Sequence, residues 1–101
     1  MAGTLVAAAS GELLAQNVPN PVRSSTSITF VVPREERVLL RVYDVSGRLI
    51  QVLFEGNAEA RSYELMWDGR DARGEAVASG VYFYRITAPG FTASRKMIML
   101  K

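Results

Sequence analysis

Val42-Tyr43-Asp44-Val45-Ser46-Gly47-Arg48 is the clearest structural signal in the chain. It carries an apolar strand into a tight turn that contains glycine, the junction a β-hairpin needs. Upstream, Val38, Leu40 and Val42 alternate with Leu39, Arg41 and Tyr43, which is the period of two of a half-buried strand. The first set is expected to face a core and the second to face outward. Downstream, Arg48 to Phe54 resumes the pattern, with Ile50, Val52 and Phe54 as the inward set, and Glu55-Gly56-Asn57 is expected to break that strand.

The same grammar extends in both directions. Thr26 to Val32 alternates, placing Ile28, Phe30 and Val32 on one face, and Pro33-Arg34-Glu35-Glu36 reads as a polar hairpin connection. Before it, Asn17-Val18-Pro19-Asn20-Pro21 is a rigid, extended turn, because each proline fixes its own φ and bars the preceding residue from the helical region. Tyr63, Leu65 and Trp67 share one face of a further strand. The loop from Asp68 to Gly74 suits consecutive tight turns. After Ser79-Gly80, Val81 to Ala88 is rich in aromatic and β-branched residues, and Pro89-Gly90 leads into a last strand from Phe91 to Leu100. Strands recurring every ~8–12 residues predict an all-β fold, an immunoglobulin/fibronectin-III-like antiparallel β-sandwich of about seven strands.

Composition bounds the chemistry. The 101 residues suit one domain, and 49% hydrophobic content can fill its core. Residues 1–12 are small and nearly uncharged and read as a linker or an appended segment, leaving 13–101 as the folded unit. Met1 to Ser10 faintly resembles a signal peptide but lacks a basic start. With no Cys and no His, disulfides, thiolate sites and every Ser-His-Asp arrangement are excluded. The net charge of +2 is spread without clustering, which argues against nucleic acid as a partner. No window reaches the ~20 apolar residues of a membrane helix.

Each conspicuous motif has a bland reading and a functional one. Trp67 is expected to plug one end of the sandwich, its indole N–H finding a carbonyl, with Asp68 and Gly69 building the turn. The rival is a calcium loop on Asp68 and Asp71, disfavoured by the interleaved Arg70 and Arg73. Tyr82, Phe83 and Tyr84 put aromatics on both faces of one strand, which suits a central strand covered by neighbours, and Arg85 is expected over a ring or beside an acid. Glu35 and Glu36 are adjacent in a polar tip, unlike the opposed carboxylates of a glycosidase. No phosphate-binding glycine motif occurs. We expect no enzyme activity and no cofactor. In the last strand Met97, Ile98, Met99 and Leu100 are consecutive, so either both faces are covered or one is left for a partner, to which exposed methionines would adapt.

Taken in order, Asn17-Val18-Pro19-Asn20-Pro21, Thr26-Ser27-Ile28-Thr29-Phe30, Val42 to Arg48, Trp67-Asp68-Gly69, Ser79 to Arg85 and Lys96 to Lys101 resemble two overlapping families. One is the C-terminal sorting domain (type A) of proteins exported by the type IX secretion system. The other is the immunoglobulin-like domain of the flagellar hook-capping protein. The resemblance covers about residues 13–101 and rests on the order of six motifs, with Tyr43, Asp44, Gly47, Arg48, Trp67, Asp68, Gly69, Gly80, Tyr82 and Tyr84 as its structural positions. It implies an extracytoplasmic module joined to an N-terminal passenger. Its protein partners would be the secretion machinery, which reads Lys96, Met97, Ile98, Met99, Leu100 and Lys101, or the neighbours in an extracellular assembly. In the second case Leu5 to Ala9 or Met97 to Leu100 would add as a strand to a neighbour's edge, and the chain would self-associate.

Overall fold

Six strands, all antiparallel within their sheets, form two layers around one apolar core in the computed structural model, which describes residues 13–101. They are β1 (Thr26–Val31), β2 (Glu36–Asp44), β3 (Leu49–Ala58), β4 (Ser62–Trp67), β5 (Gly80–Ala88) and β6 (Phe91–Met99). One sheet pairs β1 with β4, and the other runs β3-β2-β5-β6. Six regular strands stand where about seven are expected, and the segment from Leu13 to Val18 adds an irregular stretch beside them. It lies along β1 through the bridges Leu14 to Phe30 and Val18 to Ser27 rather than as a regular ladder. The proposed linker, residues 1–12, and the Leu5 to Ala9 stretch lie outside the described residues.

The period-two readings hold on most strands. Ile28, Phe30, Val38, Leu40 and Val42 are fully buried, as are Tyr84, Ile86, Met97 and Met99, and all belong to one cluster. Aromatic rings tie the layers together: Phe30 meets Phe54 edge-on at 5.9 Å and stacks on Tyr63 at 5.1 Å, while Trp67 meets Tyr82 at 6.0 Å. Burial of these side chains supplies the main stabilisation, about 1.5–3 kcal/mol for each large apolar group removed from water.

The register corrects three local expectations. Residues 33–36 are not a hairpin connection, because β1 pairs with β4 and β2 with β3 and β5, so the chain crosses between sheets there. Glu55-Gly56-Asn57 does not break β3: all three stay in register opposite Leu39, Val38 and Arg37 as far as Ala58. Val52 is not inward. Two register shifts against β2 insert an extra residue each, so Val52 pairs with the outward Arg41, while Leu53 and Phe54 pack on the core. A bulge resets the alternation and cannot be read from periodicity alone.

Candidate functional site

The turn after β2 is built by its own carboxylate. Asp44 Oδ1 accepts hydrogen bonds from the Ser46 hydroxyl (2.7 Å), the Arg48 N–H (2.9 Å) and the Ser46 N–H (3.0 Å), and Arg48 pairs with it at 3.3 Å. The Ser46 hydroxyl, then the Arg48 N–H, holds this carboxyl below the ordinary carboxylate range. Gly47 takes φ +91°, the left-handed region a side chain would resist.

A second turn mirrors the first. Trp67 is 1% exposed and its Nε1–H donates to the Arg70 carbonyl at 3.0 Å, while Asp68 accepts from the Arg70 N–H. Asp71 accepts from the Glu75 N–H and the Arg73 N–H, which lower its pKa in that order of effect. With one oxygen committed to backbone donors, Asp71 serves the turn. Among the described residues no three acidic side chains are grouped to hold a metal. Gly69, at φ +73°, comes so close to Met99 that a Cβ would lie 3.0 Å from its terminal methyl. The Trp67-Asp68-Gly69 turn thus packs directly on the last strand.

β6 is where sequence and structure part company. Met97 and Met99 are fully buried, opposite Tyr82 and Gly80, so these methionines are core residues rather than an exposed surface for a partner. They alternate inward because β6 pairs with the central strand β5 and needs one apolar face. Lys96, Ile98, Leu100 and Lys101 are exposed. The outer edge of this stretch is also occupied. The Val22 N–H donates to the Ile98 carbonyl (2.7 Å), and the Leu100 N–H donates back to the Val22 carbonyl (2.8 Å). Asn20 Oδ1 accepts from the Ile98 N–H, and Gln16 Nε2 donates to the Lys96 carbonyl. Lys101 N–H donates to Ser79 Oγ. Strand addition through Met97 to Leu100 is therefore blocked by the chain's own residues 16–22, because those backbone groups already have partners.

Other predicted positions serve the frame. Gly80 opens β5 opposite Met99. Tyr82 donates to the Ala78 carbonyl and Tyr84 to the Ala15 carbonyl, each at 2.7 Å. Burial pushes the Tyr84 hydroxyl up to about 12. Arg85 lies over the Tyr43 ring, 5.2 Å from its centre, as expected of that cation. Phe83 is half-buried on the outward face of the four-stranded sheet, beside Tyr43. Sequence reading missed Asn17 and Thr26, which are buried together: Asn17 Nδ2 donates to Thr26 Oγ1, and both donate to the Pro19 carbonyl. The only signal was an asparagine two residues before a proline.

Comparison with known proteins agrees with this geometry. The sequence model of the FlgD Ig-like domain family matches residues 22–90. Dimeric latent PorU from Porphyromonas gingivalis superposes with a TM-score of 0.68 at 27% identity, over 84% of this chain and 9% of PorU. PorZ from the same organism, an essential bacterial surface component of its type IX secretion system, gives 0.63 at 22% identity, over 95% of this chain and 12% of PorZ. FlgD from Xanthomonas campestris, described for hook capping essential for flagellar assembly, gives 0.59 at 22% identity, over 86% of this chain and 65% of that one. The chain thus spans about a tenth of PorU and PorZ and just under two thirds of FlgD. No curated protein matches it.

Proposed function

Since the chain belongs to the FlgD Ig-like domain family, we propose that it is a non-catalytic C-terminal sorting and attachment module of a secreted bacterial protein, recognised by type IX secretion machinery. The folded unit is residues 13–101, its passenger lies N-terminal to it, and it works outside the cytoplasm. The observation that carries this reading is the construction of β6 and its end. Met97 and Met99 anchor the segment in the core, while Lys96, Ile98, Leu100 and Lys101 stand outward in an apolar-basic pattern. An anchored segment presents its side chains at little further entropic cost, which favours recognition by a partner. The likeness to PorU, at 27% identity, supports the same reading.

The test is export. Residues 13–101 fused behind a reporter, in a host with the type IX pathway, are expected at the cell surface or in the medium. Deleting Lys96–Lys101 is expected to leave the reporter in the periplasm, and equal export of the truncated fusion would remove the sorting role of this segment. The family match supports a second reading, a structural domain of an extracellular assembly of the hook-cap kind. Filaments or rings that grow with protein concentration and vanish on deleting residues 1–11 would establish that role instead.

A further inference from the structure

The outward face of the four-stranded sheet carries a pattern that the fold itself does not need. Cross-strand pairing sets Arg41 of β2 directly opposite Arg85 of β5, with Ser94 of β6 next in the row. Like charges facing each other across a ladder cost stability. Arg41 Nε is buried and has no hydrogen-bond partner among the described residues. None of the described carboxylates forms an ion pair with Arg41, Arg85 or Lys96. The nearby acids are committed elsewhere, Asp44 to its turn and Arg48, and Glu55 to Arg37 at 3.2 Å. The adjacent row is aromatic: Tyr43 faces Phe83, and Phe83 faces Lys96. A cleft of about 410 Å³ opens here, lined by Tyr43, Phe83, Arg85, Ser94 and the Asp44–Gly47 turn.

We propose that this face is a docking surface for an extended acidic segment of a partner protein. The two rows lie two residues apart along β2 and β5, about 6.6 Å at the rise of a strand. An extended peptide lying on the sheet repeats its own same-side residues at that spacing. A carboxylate then reaches the Arg41–Arg85 row while the apolar side chain two positions away covers Phe83, beside the Tyr43 ring that Arg85 already overlies. A carboxylate there offsets the like charge that Arg41 and Arg85 bring to one row of the sheet. A uniformly charged polyanion would leave the half-buried Phe83 ring uncovered, so the pattern favours a peptide that alternates acidic and apolar residues on one side.

The experiment is an NMR titration of the full 101-residue chain with a synthetic peptide bearing glutamate and leucine alternately at every second position. A peptide with lysine in place of glutamate, and heparin, serve as the other arms. We expect shifts concentrated on Leu39 to Tyr43, Val81 to Thr87 and Thr92 to Ile98, weakening with salt. Binding by the Arg41→Gln/Arg85→Gln double variant is expected to fall at least about tenfold, the loss typical of a charge-assisted hydrogen bond. If that variant does not fold, the exposed Lys96→Gln is expected to weaken binding and Thr92→Ala to leave it unchanged. Equal binding of the lysine peptide, preference for heparin, undiminished binding by the charge variants, or no binding at millimolar peptide would each overturn the proposal. Binding is measured on the isolated chain, so its failure is distinct from a failure of export.

Discussion

Trp67 and Tyr84 illustrate how single side chains hold the two layers together. Trp67 touches Tyr82 across the core and closes its own turn through the Arg70 carbonyl. Trp67→Ala is expected to cost about 3–5 kcal/mol, from lost burial plus the cavity left behind. Chemical denaturation would check this, and a variant within about 1 kcal/mol of the parent would move Trp67 out of the core account. Tyr84 is buried with its hydroxyl on the Ala15 carbonyl, and its pKa is pushed from 10.0 to about 12, first by burial. A proton held more tightly in the folded state stabilises it fully below the unfolded value. That contribution is lost as pH rises from about 10 to about 12. Melting temperature is therefore expected to fall across that window, and Tyr84→Phe, at a cost of about 1–3 kcal/mol for the orphaned carbonyl, to flatten the fall.

Among the elements, β6 is an edge strand of its sheet that is still held on both sides over its second half. β5 pairs with it throughout, and residues 16–22 bond its outer edge at Lys96, Ile98 and Leu100. An edge strand protected in this way cannot serve as a template for another chain. Hydrogen exchange is expected to show the Ile98 and Leu100 amides protected although both side chains are exposed. Asn20→Ala is expected to speed exchange at Ile98, with a global cost of only about 0.5–1.5 kcal/mol for one exposed hydrogen bond. Unchanged exchange at Ile98 would mean that the Asn20 side chain does not hold this edge in solution.

For the whole molecule, the segment before β1 belongs to the fold. Leu14 and Val22 are buried in the shared core, and Asn17 holds Thr26 at the start of β1. Removing residues 1–12 is expected to shift the melting temperature by no more than a few degrees. Removing 1–22 strips two core side chains at about 2–5 kcal/mol for the leucine alone, which exhausts much of a small domain's margin. A 23–101 fragment that melts like the parent would place the domain boundary later than Leu13.

Much of the fold was legible along the chain because a half-buried strand writes its inward face every second residue, as β1, β2 and β5 do. The turns were legible too, since aspartate closes them through its side-chain carboxylate and glycine through its positive φ, within a few residues of Asp44 and of Asp68. The rest is non-local. Which sheet each strand joins depends on pairing between distant residues, so the crossing at 33–36 reads in sequence like a hairpin. The bulges at Ile50 and Leu53 depend on the register of β3 against β2. The burial of Met97 and Met99 depends on β5 lying beside them, and the capping of Ile98 depends on Val22, far away in sequence but hydrogen-bonded in space. Local chemistry determined the strands and their turns, and long-range pairing determined which faces of them remain for a partner.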